Sequence, residues 1–266
     1  MTTSTIDPLT QIHDANVSAQ ASNKKKSAWV ASKRYWYWLS VMIPLVPLGF
    51  AYLAVVTGQG FWLWFTVALL YVLLPAADHL FGTDAANPDD HQVEQLKDDR
   101  YYVYIMYFAT AAHWVSLVGM AYVVSQYDWS WINILGGAIS AGILNGVGMV
   151  AGHEMGHKVK DKTQVACAKL VLACSGYGHF YIEHNKGHHK DVATPEDPAT
   201  SRFGESIYKF VRREIPGAFR RAWSLETARL HRQGKSEWSL SNEIIQPALV
   251  TVTAYTLMTA YFGPVM

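Results

Sequence analysis

Five of the eleven histidines in this chain fall in two short runs whose residue types suit a metal site. The first, His-Glu-Met-Gly-His-Lys at 153–158, sets His153 and His157 four residues apart, one helical turn along a single face. The second, Glu-His-Asn-Lys-Gly-His-His-Lys at 183–190, repeats that spacing with His184 and His188 and adds His189 beside them. Imidazole suits Zn, Cu, Fe and Ni, so ligand type alone does not name the metal. Taken alone, the first run matches the zinc-protease motif HExxH, with Glu154 as general base. A catalytic zinc uses three protein ligands and an open position, whereas these runs offer five, which fits two metal ions better. A metal-bound imidazole usually donates its other N–H to a carboxylate or carbonyl. Glu154, Glu183 and Asp191 flank the ligands and are candidates for that role. His179, five residues before His184, is another candidate or a packing histidine. Glu196 and Asp197, in Thr-Pro-Glu-Asp-Pro, read as shaping a turn.

The elements that must hold these rings are uncharged runs long enough to cross a hydrocarbon core, which takes about 20 helical residues. Asp, Glu, Lys and Arg are absent from Trp36 to Val56, Phe61 to Ala77, Tyr101 to Gln126, Trp129 to Gly152 and Ile244 to Met266. The expected organisation is a polar and basic arm at 1–35, spans at about 36–56, 61–81, 101–126 and 129–152, a metal-binding segment at 153–243, and a fifth span at 244–266. Five Lys and Arg precede the first span, two lie between the second and third, and fifteen lie from Lys158 to Lys235. None lies in the turns Thr57 to Gly60 and Gln126 to Trp129, so the positive-inside rule puts the N-terminus and segment 153–243 in the cytoplasm. Seven acidic residues from Asp78 to Asp99 do not count against this, because the rule concerns Lys and Arg. Trp36, Trp38, Trp62, Trp64, Trp129 and Trp131 cluster at span ends, as headgroup-level rings do. Pro44 and Pro47 predict a kink, and Gly142 with Gly146 predicts a close helix approach. His113, deep in the third span, is a candidate for a substrate pocket. The fold class is therefore all-α, a polytopic membrane bundle with a histidine metal site at the inner helix ends.

Composition narrows the function classes. The 266 residues are 50% hydrophobic and 16% charged with a net charge of +1, which gives no reason to expect nucleic acid as partner. Two cysteines, Cys167 and Cys174, exclude a disulfide scaffold and a four-cysteine zinc module. The apolar run after the basic cluster at 24–34 is too long for a signal peptide. The basic stretch Ser206 to Lys235 is interleaved with Phe210, Ile215, Phe219 and Trp223 and reads as a helix lying on headgroups. Docking of an acidic partner on Arg212, Arg213, Arg220 and Arg221 is the alternative.

The runs at 153–158 and from Gly176 to Ser206 closely resemble the integral-membrane alkane 1-monooxygenases. These belong to a wider histidine-box group of membrane di-iron enzymes that also holds fatty-acid desaturases and xylene monooxygenase. The resemblance implies His153, His157, His184, His188 and His189 as ligands of two non-haem irons. It implies terminal hydroxylation of medium- or long-chain n-alkanes by O2 in the bacterial inner membrane. Electrons would come from rubredoxin and an NADH-dependent rubredoxin reductase. An unactivated C–H bond gives a general base or nucleophile nothing to act on, so a redox metal with O2 suits the task. A sister enzyme acting on an aromatic methyl or a fatty acyl chain, and a membrane zinc protease, are the alternatives. Members of the resembled family continue into a sixth span and a third histidine box, so the chain is expected to be an incomplete piece, inactive alone.

Overall fold

The computed structural model describes residues 33–82, 88, 90–97 and 99–265. The expected arm up to residue 32, and Asp84, Asp89 and Asp98 of the acidic loop, lie outside the described residues. Every regular element among the described residues is helical. Four helices are long and apolar enough to cross a membrane: α1 (Arg34–Thr57), α2 (Gly60–Phe81), α3 (Arg100–Gln126) and α4 (Trp131–Gly156). A short helix, Asp90–Lys97, precedes α3. After α4 come α5 (Lys162–Ala173), a helical turn region α6 at 180–191, α7 (Ile207–Arg232) and α8 (Ile245–Phe262). The 18 residues of α8 include four threonines and two tyrosines.

Local chemistry explains the boundaries. Around Pro44, which lacks an N–H, α1 tightens into a 3-10 turn at Ile43–Leu45. It ends where Gly58 turns left-handed, at φ 68°, its N–H returning to Ala54 and Val55 carbonyls. Asp99 caps α3 by accepting the Tyr101 N–H at 2.9 Å. Asp161 caps α5 by accepting from Thr163 and Gln164.

Between lipid-soaked helices the hydrophobic effect gives little, and close packing of small residues takes its place. Ala51 and Ala54 of α1 are fully buried against Leu63 and Met120. On α4 the close contacts are made by Gly136 on Trp64, Gly137 on Val124, Gly148 on His113 and Gly152 on Leu172. This corrects the sequence expectation, because Gly142 and Gly146 have nothing within 4 Å of an added Cβ among the described residues. The working step is Gly148 to Gly152, six residues further on and on a different side of the helix.

Beyond α4 the packing changes character. Leu172 of α5, Tyr181 and Ile182 of α6, Ala222 of α7 and Ile244 before α8 form one buried cluster. Ala151 and Met155 join α4 to Ala168 and Val171 of α5. Burying a side chain such as Leu172 or Ile182 contributes about 1.5–3 kcal/mol. This cluster is the platform under the histidines.

Candidate metal centre

His153 and His157 project from the last turn of α4, which reaches to Gly156. The second run does not form an ordinary α-turn. Residues Glu183–His188 are π-helical, each turn closing one residue later than in an α-helix. The residue that falls beside His184 is therefore His189, and the two Nε2 atoms lie 3.0 Å apart. His184 Nε2 is also 3.2 Å from His157 Nε2, which is 3.1 Å from His153 Nε2. The ring nitrogens of His153, His157, His184 and His189 all lie within 4.8 Å of one another.

Four imidazoles this close cannot all carry protons. Burial, reinforced by the neighbouring rings, pushes His157 below the usual histidine range and His184 down to about 4. A transition metal binds neutral imidazole, and the ring nitrogens of these four residues converge, so the donor set fits a metal. Phe180 stacks on His184 at 4.8 Å between centroids and closes one side.

His188 stands apart from the four. Its ring stacks over His184 at 5.5 Å, and its Nδ1 lies 2.9 Å from Asp197 Oδ2. That arrangement fixes the proton on Nδ1 and leaves Nε2 as the donor. Asp197 is 1% exposed and also accepts from Thr200 Oγ1 at 2.6 Å and the Ala199 N–H at 3.1 Å. Thr200 in turn accepts the N–H of Ala193, the one described non-glycine residue with positive φ, at 65°. Asp197 does shape the turn, as its setting suggested, and it also holds a histidine.

Of the three carboxylates that flank the histidines in sequence, Glu154, Glu183 and Asp191, only Glu183 is buried, at 3% exposure. Its oxygens have no hydrogen-bond partner, and Arg221 stands 3.7 Å away. Burial, only partly offset by Arg221, pushes its carboxyl up to about 7. Glu154 points outward and pairs with Lys158 at 3.8 Å, which does not suit it as a general base in a zinc-protease site. Asp191 pairs with Arg221 at 2.5 Å. His179 is 7% exposed and packs edge-on to Phe219, away from the ring cluster, with burial pushing it down to about 4. His113 is buried under Gly148, near the Asn145 amide, and lines neither of the two large cavities.

Sequence reasoning missed Arg221 as an organiser. Its guanidinium reaches Glu183, Asp191 and Asp197 and donates to the Glu196 carbonyl. Arg213 is likewise engaged, by Glu205 at 2.7 Å and the Pro198 and Thr200 carbonyls. Of the four arginines expected to dock a partner, Arg212 and Arg220 alone are exposed. No local signal marks the contact, because Arg221 stands beside Arg220 and lies 24 to 38 residues from the three acids.

Comparison with known proteins places the histidines in context. The family model described as "Fatty acid desaturase" matches residues 129–266. Alkane 1-monooxygenase of Pseudomonas putida is 50% identical over 238 residues, covering 90% of this chain and 59% of that protein. Alkane 1-monooxygenase 1 of Alcanivorax borkumensis is 48% identical over 245 residues, covering 92% of this chain and 60% of that protein. The hydroxylase component of a xylene/toluene monooxygenase of Pseudomonas putida is 29% identical over 136 residues, 51% of this chain and 37% of that protein. The chain thus spans about 60% of the length of the alkane 1-monooxygenases it matches.

Proposed function

This chain belongs to the fatty acid desaturase family, and on that premise we propose that it serves the terminal hydroxylation of medium- or long-chain n-alkanes to primary alcohols by O2. The observation that carries the reading is the convergence of four imidazoles at the end of a membrane-length helix. Half-identity to alkane 1-monooxygenase supports the substrate class. His153, His157, His184, His188 and His189 would hold two irons, whose chemistry when bound is activation of O2 toward a C–H bond that no side chain can attack.

The chain's own residues position that chemistry. The packed inner half of α4 sets His153 and His157, and the π-turn brings His184 and His189 to meet them. Asp197 orients His188, and Phe180 screens one face of the cluster from water. The distribution of Lys and Arg supports an inner-membrane protein with its N-terminus and metal site in the cytoplasm. The alkane would reach the site from the bilayer, and rubredoxin, reduced by its NADH-dependent reductase, would reach it from the cytoplasm. Of the four arginines considered for docking, Arg212 and Arg220 are exposed and available to an acidic donor.

The test supplies membranes bearing the chain, joined to the part of the Pseudomonas putida relative that it does not span, with rubredoxin, its reductase, NADH, octane and isotopically labelled O2. Labelled 1-octanol is expected, and its loss in His153→Ala and in His184→Ala. Zinc held in preference to iron, or label incorporation unchanged in both variants, would refute the assignment.

A further inference from the structure

Two open clefts, of about 660 and 780 Å3, share Leu170 and Val250 as a common wall and so form one groove between α3, α5 and α8. Its two ends differ in chemistry. One end is lined by Lys162 at the start of α5 and by Lys169, Glu243 and Gln246 near the start of α8. The other end is lined by Ala111, Trp114, Val115, Leu249 and Leu257. Trp114 bridges the helices there, its indole N–H donating to the Leu170 carbonyl at 3.1 Å.

The polar end carries an unbalanced positive charge. Lys169 is neutralised by Glu243 at 3.6 Å and hydrogen-bonded to Gln246 at 2.8 Å. Asp161, the acid next to Lys162 in the chain, turns back to cap α5. Lys162 is exposed and lines the groove, and no ion pair to it is found among the described residues. From Gln246 to Leu257 the groove follows eleven residues of α8, about 16 Å. One leaflet of bilayer hydrocarbon is about 15 Å deep.

We infer that this groove binds one phospholipid with an anionic headgroup, its phosphate against Lys162 and an acyl chain along Leu170, Val250 and Leu257. Cationic mouth, apolar length and depth all match a lipid drawn from the surrounding leaflet. A free phosphate would leave the apolar walls empty, and a zwitterionic lipid would bring its own headgroup cation beside Lys162.

The test is lipid retention by the whole 266-residue chain. The chain is reconstituted with equal phosphatidylglycerol and phosphatidylcholine, exchanged into mild detergent, and its bound lipid counted by native mass spectrometry. Phosphatidylglycerol is expected to be retained over phosphatidylcholine. Lys162→Ala should lower its retention about fivefold, the effect of one basic residue at a lipid surface. Val250→Trp, which fills the groove, should lower retention of both lipids, and Leu257→Trp should do the same from the far end. Equal retention of the two lipids, retention of palmitate in place of phospholipid, or unchanged retention in the helical, folded variants would overturn the inference.

Discussion

Replacing Asp197 by Asn changes one atom and tests whether this buried carboxylate holds His188 for metal. In the native arrangement Asp197 Oδ2 lies 2.9 Å from His188 Nδ1 and accepts from Thr200 at 2.6 Å. Oδ1 accepts from Ala199 at 3.1 Å and faces Arg221 at 3.5 Å. Asparagine keeps one acceptor oxygen. If that oxygen faces His188, the new NH2 meets the Ala199 N–H and the Arg221 guanidinium, donor against donor. If it faces Ala199, the NH2 meets Nδ1 and drives the proton to Nε2, removing the lone pair the metal needs. Either way His188 loses its orientation. Loss of such a partner typically lowers metal affinity about 10–100-fold, or about 1.4–2.8 kcal/mol. The assay is competition of ferrous iron against a coloured chelator, with helix content checked by circular dichroism. Thr200→Val is the control: it removes one hydrogen bond to Asp197 and spares His188, and it should lower affinity by less than about tenfold. An Asp197→Asn protein of native helix content that binds iron within twofold of the parent would refute the positioning role.

Gly152→Ala places a methyl 2.8 Å from Leu172 Cγ and should cost about 1–3 kcal/mol in thermal unfolding, whereas Gly146→Ala, facing open space, should be neutral or slightly stabilising. If both glycines behaved alike, the rotation assigned to α4 would be wrong. Divalent iron at about a hundred times its dissociation constant should stabilise the fold by about 2.7 kcal/mol, and His184→Ala should abolish the rise in Tm. Glu226 is fully buried, and burial alone would raise its carboxyl; hydrogen bonds from Arg229 and the Glu243 N–H more than offset this and hold it below the usual range. A depressed folded value contributes stability above the ordinary glutamate value of about 4.3, and that stability is lost as pH falls through the folded value. Acid unfolding of Glu226→Gln should therefore depend less on pH below about 5 than that of the parent, and equal slopes would contradict the assignment.

The scaffold and the histidines that cluster were readable in the sequence, because charge-free length and closely spaced histidines are local properties. What escaped it was set by contacts made elsewhere in the chain. A four-residue spacing pairs His184 with His188 only if the turn is α-helical; the π-turn hands the place beside His184 to His189 instead. Gly187 sits at the centre of that turn against Glu183 and Arg221, where a Cβ would collide with the Glu183 carboxylate. Asp197 lies nine residues past His188, and nothing local announces that the loop returns to it. The loop closes because Arg221, on α7, draws three acids to one guanidinium. The glycine step of α4 was placed six residues too early for a related reason. A helix shows which of its residues are small, but its rotation is decided by neighbours such as His113 and Leu172.

The 26 residues of α4 form a rod of about 39 Å with glycine seats near both ends and two histidines on its last turn. A side chain reaches about 6 Å from the helix axis, so turning the rod by about 10° swings a histidine nitrogen sideways by about 1 Å. A working site tolerates about half that displacement. The seats at Trp64 and Val124, far from the rings, thus act as torsional stops, and a substitution there would be felt at the opposite end as a misaimed ligand.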